Sequence, residues 1–214
     1  MKMYDTKYLK KVGHFGTFAG AQGQPRCNEE WIKDPYIDIL GVALGTKPVS
    51  ISILPKVTQN VVQQLKIAKE RDVRFISISS FAPENNKNVA VYFRPANIRK
   101  AVLIALMHWC DPSPCSACES SYVIGKSFGY PDKDIEAYSA WDFIPERWGE
   151  MSDADRSSLW NSPHIVKKRV DNHARFSVEK KIMTPKWAAA LKSKTVDAWI
   201  TKLECDGAIK AVCV

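Results

Sequence analysis

Two different periods of apolar and polar residues run along the chain. Val49-Ser50-Ile51-Ser52-Ile53 alternates strictly, as a strand with one buried face does. The preceding run, Tyr36 to Leu44, is apolar enough for another strand, and Gly45 to Pro48 supplies the turn between them. After Pro55 the period lengthens. Val57, Val61, Leu65 and Ala68 stand at i, i+4, i+8 and i+11, one face of a helix. Val73 to Ser79 and Asn88 to Arg94 then predict two strands joined by the polar stretch Ala82 to Lys87. Asn97 is placed to cap a helix running to about Trp109, and its centre, Ala101 to Met107, is apolar all round, the mark of a buried helix. The order β-β-α-β-β-α predicts an α/β (α+β) domain with a largely antiparallel sheet.

Beyond Glu119 the periodicity weakens. Tyr122, Phe128, Tyr130, Tyr138, Trp141, Phe143, Trp148 and Trp160 crowd a stretch broken by prolines and acids. Residues 119–165 are therefore expected to form an irregular, aromatic-rich cover on a domain spanning 1–165, with a short helix begun at Ser152. A separate tail is expected over 166–214. In it Thr184 is placed as a cap and Pro185 as the first residue of a short helix. A second helix starts at Ser193 or Thr195, carries Val196, Trp199, Ile200 and Leu203 on one face, and stops at Gly207, before an alternating segment from Ala208 to Val214.

Charge sharpens this division. The net charge of +8 is uneven: residues 1–118 carry 16 Lys/Arg against 9 Asp/Glu, residues 119–165 carry 4 against 9, and residues 166–214 carry 11 against 5. Basic regions attract polyanions, because neutralising phosphates releases condensed counterions. Apolar residues make up 45% of the chain, which excludes a disordered protein, and no apolar run approaches the length of a membrane span. The amino terminus has no apolar leader-like core. The six cysteines show no disulfide framework, so a reducing, cytoplasmic compartment is the expectation. The Gly-rich stretch Gly13 to Gly23 lacks the lysine and hydroxyl of a phosphate-binding P-loop and is expected to be an entry loop.

The segment from Thr195 to Ile209 (Thr-Val-Asp-Ala-Trp-Ile-Thr-Lys-Leu-Glu-Cys-Asp-Gly-Ala-Ile) resembles the recognition helix and first wing strand of winged helix-turn-helix proteins. The resemblance covers about thirty residues. It departs from the pattern in a very short turn and in lacking a complete second wing strand. It implies DNA binding, with Lys192, Ser193, Lys194 and Thr195 at the leading end of a helix in the major groove and Lys202 and Lys210 meeting phosphates. A helical hairpin docked on the main domain has the same apolar spacing, and both readings stand at this point.

Two further clusters bear on function. Cys110, Cys115 and Cys118 form a C-x4-C-x2-C run beside His108. Free thiols, a zinc site and a [2Fe–2S] centre are the three readings of that run. The ferredoxin-type centre lacks its following cysteine, and a zinc site usually shows two C-x2-C pairs. Arg94 ends a strand while Arg99 and Lys100 open the next helix, where positive side chains oppose the helix dipole unless an anion binds. These three are expected to converge on a phosphate. The strand Asn88 to Pro95 faintly resembles one in plasmid replication primases. However, the paired aspartates of that family are missing, and no catalytic residue is carried over. Tyr92 and Phe93 offer a base-stacking surface if they face outward. The main expectation is an accessory DNA-binding protein. The rivals are an enzyme acting on nucleic acid, marked by converging carboxylates, and a protein-binding module.

Overall fold

The computed structural model describes residues 37–53, 59–82, 89–110, 121–140 and 143–213. Expectations for the Gly-rich stretch, for Cys115 and Cys118, and for the tip of the β-hairpin lie outside the described residues. The element order is α1 (Ile37–Leu44), β1 (Val49–Ile53), α2 (Gln59–Glu70), β2 (Arg74–Ser77), β3 (Val89–Phe93), α3 (Ile98–Trp109), α4 (Ser121–Ser127), α5 (Asp132–Ser139), α6 (Asp153–Trp160), α7 (Pro163–Leu191), α8 (Lys194–Cys205) and β4 (Ile209–Ala211). The fold is α+β, with one antiparallel sheet in the order β1-β3-β2-β4.

Strand alternation sorts the core into two layers. On β3, Val91 and Phe93 face one side with Val49 and Ile76, and there they meet the buried run Ala101 to Leu106 of α3 together with Val196 and Leu203 of α8. Ala90 and Tyr92 face the other side, against Ile39, Val42 and Ala43 of α1 and Leu65 and Ala68 of α2. The sheet is thus covered on both faces. Tyr92 and Phe93 are 1% and 0% exposed, so neither forms the stacking surface raised above.

Several expectations need correction. Residues 37–44 are a helix rather than a strand: a short, mostly apolar run fits either element, and here Gly45, at φ +78°, ends the helix. Asn97 does precede α3, but its side chain makes no capping bond; a 3₁₀ turn over Pro95–Asn97 leads into the helix instead. The cover is largely helical, since α4, α5, α6 and a 3₁₀ turn at Glu146–Glu150 all fall within it. These helices are short, and prolines at 131, 145 and 163 separate them, which hides their period in the sequence. Ser152 caps α6 as expected, accepting the Asp155 N–H. Thr184 and Pro185 start no helix. They lie inside the 29-residue α7, where the Thr184 hydroxyl bonds the Lys180 carbonyl at 2.7 Å.

The expected division at 165/166 also falls inside α7. Ile165 packs with Trp148 and Trp160, Trp187 of the same helix joins the α3 core, and β4 hydrogen-bonds to β2. The carboxyl-terminal segment therefore shares the sheet and the core of the amino-terminal one.

Candidate nucleic-acid interface

Local sequence builds the α7–α8 hairpin from both ends of its turn. Lys192 N–H and Ser193 N–H close α7 on the Ala189 and Ala190 carbonyls at 3.0 and 3.1 Å. The Ser193 hydroxyl then caps α8 by accepting the Val196 N–H at 3.3 Å. Gly207, at φ +60°, ends α8. Val196 and Leu203 are buried against the core, Trp199 stacks on Phe81 with ring centroids 5.2 Å apart, and the Trp187 indole N–H donates to Ser127 Oγ at 2.9 Å. The hairpin is thereby fixed in orientation on α3 and α4.

Arg99 locks the turn. Its guanidinium donates to the Leu191 carbonyl at 2.7 Å and pairs with Asp197 in the first turn of α8. It thus serves a helix carboxyl end, where carbonyls lack partners, and a carboxylate at a helix amino end. The expected convergence of Arg94, Arg99 and Lys100 does not form. Arg94 is exposed and reaches the turn after α1, its Nη1 3.4 Å from where a Cβ on Gly45 would sit, while Arg99 crosses to the hairpin and Lys100 is half-buried. The cause is spacing. Arg94 lies before the 3₁₀ turn and Arg99 beyond it, so the two point to different neighbours.

With the apolar side of α8 spoken for, the helical period dictates its outer side. Lys194, Ala198, Thr201 and Cys205 are exposed along the middle of that side. Thr195 and Lys202 flank them on one edge, and the acids Asp197 and Glu204 lie on the other, with Asp197 taken up by Arg99. The Lys202 ammonium lies 4.5 Å from the centre of the Trp199 ring. Lys192 is exposed at the turn and Lys210 on β4. Among the described residues Lys192, Lys194 and Lys210 make no ion pair. Ser193, expected to touch nucleic acid, is occupied as a cap. Ala198, Thr201 and Cys205 escaped the sequence reading, although they are simply the complement of the Val196-Trp199-Ile200-Leu203 spacing.

The acidic segment packs against α7 through ion pairs and hydrogen bonds. Asp132 pairs with Lys126 at 3.0 Å and also with Lys180, and Glu136 meets His173 Nδ1 at 2.8 Å. The buried Asn172 amide donates to Ser139 Oγ and the Glu136 carbonyl. Hydrogen bonding from Lys180, and then from Lys126, lowers the Asp132 pKa, and Asp132 in turn raises that of Lys180. These carboxylates are engaged in ion pairs. Among the described residues no three His, Cys, Asp or Glu side chains gather as a metal site. Cys110 is half-buried, and Cys205 and Cys213 are exposed free thiols. No described helix is long and apolar enough to cross a membrane. No family model, curated protein or solved structure matches the chain.

Proposed function

We propose that this chain binds nucleic acid, with duplex DNA as its partner, through the outer side of α8 and the turn before it. One observation carries the reading. The exposed middle of α8 is a lysine followed by small side chains, with its acids displaced to one edge and the nearer one neutralised by Arg99. Small residues let the helix backbone approach closely, and a helix about 10–12 Å across matches a major groove about 12 Å wide. The twelve residues of α8 span about 18 Å, enough to follow the groove over several base pairs. Lys192, Lys194 and Lys210 then supply phosphate contacts. Among the described residues the strand that follows this helix, β4, pairs with β2.

The test is fluorescence anisotropy of a labelled duplex across a salt series. Affinity falls as salt rises, with a log–log slope of about −0.9 per phosphate contact. Replacing Lys192 and Lys194 with alanine flattens the slope by up to about two such contacts. Absence of any binding at low salt, to duplex or to single strand, overturns the reading.

A further inference from the structure

Among the described residues five large apolar side chains are exposed, and four of them lie on one helix: Val166, Val170, Val178 and Ile182 of α7. Ala174, also exposed, fills the gap, so the series advances in steps of four and forms a ridge about 24 Å long. Val170 and Val178, on either side of Ala174, are the most open, at 63% and 58%. The helical period turns this ridge away from Ile165, Asn172 and Phe176, the residues that α7 buries in the fold.

The course of the ridge decides what can cover it. Each step of four carries it about 40° round the helix, so from Val166 to Ile182 it sweeps about 160°. A flat lipid surface cannot touch all of that. Nucleic acid gains little, because Val170, Ala174 and Val178 offer no side-chain donor to a phosphate. A second helix suits the diagonal, since ridges of this kind pack into the grooves of a neighbour at a crossing angle of about −50°.

The pattern about Ala174 also reads the same in both directions. Val166 and Ile182 stand eight residues to either side, Lys167 and Lys181 seven, and Val170 and Val178 four. A two-fold interface needs such self-complementarity, because residue i meets j while j meets i. Beside the ridge, Asp171 and Arg175 share one flank and are both exposed. Asp171 makes no ion pair among the described residues. Arg175 donates to Asn172 Oδ1 at 2.9 Å and keeps further donors free.

We infer that α7 is the contact of a homodimer. A second copy of this chain lays its own α7 across the ridge, antiparallel in sense and centred on Ala174. Val170 then packs on the partner's Val178, and Asp171 pairs with the partner's Arg175, once on each side of the two-fold axis. Lys167 and the partner's Lys181 lie about 10 Å from the crossing point, where inclined helices have parted and long side chains turn to water. One helix crossing covers less than the roughly 800 Å² per partner of a standard interface, so the dimer is weak, with a dissociation constant on the order of 10–100 µM. This surface shares no residue with the α8 interface, and its test needs no nucleic acid.

Sedimentation velocity of the full chain from about 5 to about 500 µM tests it, and a monomer–dimer equilibrium is the expected result. Val170→Glu, on an exposed position and checked for folding by circular dichroism, raises the dissociation constant at least about tenfold by placing a charge in the contact. Asp171→Arg raises it about threefold or more, and exchanging both charges, Asp171→Arg with Arg175→Asp, restores it to within about twofold of the parent chain. The inference fails if the chain stays monomeric throughout, or if Val170→Glu leaves the dimer unchanged. A folded double exchange that recovers nothing overturns the antiparallel pairing on Ala174. A monomer that instead pellets with phosphatidylserine-containing vesicles assigns the ridge to a bilayer and overturns the dimer.

Discussion

Replacing Arg99 with alanine removes the contact that ties α3 to both helices of the hairpin. Its guanidinium is 44% exposed and its partner Asp197 52%, so solvent screens the ion pair and leaves it about 0.2–1 kcal/mol. The bond to the Leu191 carbonyl adds about 0.5–1.5 kcal/mol, toward the lower end because the donor is half in water. The sum is about 1–2 kcal/mol. For a chain of this size that corresponds to a drop of roughly 3–6 °C in melting temperature. A double-mutant cycle with Asp197→Ala separates the two parts. The coupling energy is about 0.2–1 kcal/mol at low salt and shrinks as salt rises, whereas the carbonyl bond is nearly insensitive to it. Thermal melts followed by circular dichroism measure all four corners of the cycle. If Arg99→Ala shifts the melting temperature by less than about 1 °C and the coupling is zero, Arg99 does not hold the turn, and the orientation of α8 rests on its apolar face alone.

Other substitutions probe the remaining joints. Gly129→Ala costs at least about 2 kcal/mol in chemical denaturation, since left-handed strain adds to the clash with Pro48, whereas Gly207→Ala, with open space around it, costs only about 1. Pro185 denies the Lys181 carbonyl its helical donor, so Pro185→Ala raises stability, by up to about 3 kcal/mol. The lowered Asp132 pKa means its contribution is complete above the unfolded-state value near 3.8 and is lost as pH falls through the folded one. Asp132→Asn accordingly flattens the stability profile in that acid window. The raised Lys180 pKa works in the opposite sense, its contribution being lost only as pH climbs past about 10.5.

Local patterns carried much of the fold. Strict alternation located β1, two strand-like runs on either side of a polar stretch located the β2–β3 pair, the all-apolar centre located α3, and a serine followed by i, i+3, i+4, i+7 spacing with a closing glycine located α8. What failed did so where local rules compete. Residues 37–44 are a short, mostly apolar run that fits a strand or a helix. Pro185 sits mid-helix because α7 is held along its length by Ile165, Asn172, Phe176 and Trp187, whose packing outweighs one lost backbone bond. At the candidate interface the outward side of α8 follows from the same spacing that marks its buried side. The role of Arg99 does not, because its partner lies 98 residues away.

The most direct test of the interface compares two charge reversals of equal size. Lys194→Glu places a negative charge on the outer side of α8, and Lys66→Glu does the same on α2, beyond the opposite face of the sheet. Duplex affinity is measured for both at the same salt concentration. If α8 enters the groove, Lys194→Glu weakens binding by about tenfold or more while Lys66→Glu stays within about twofold of the parent chain. Equal losses from the two reversals would mean that net charge, and not α8, holds the nucleic acid.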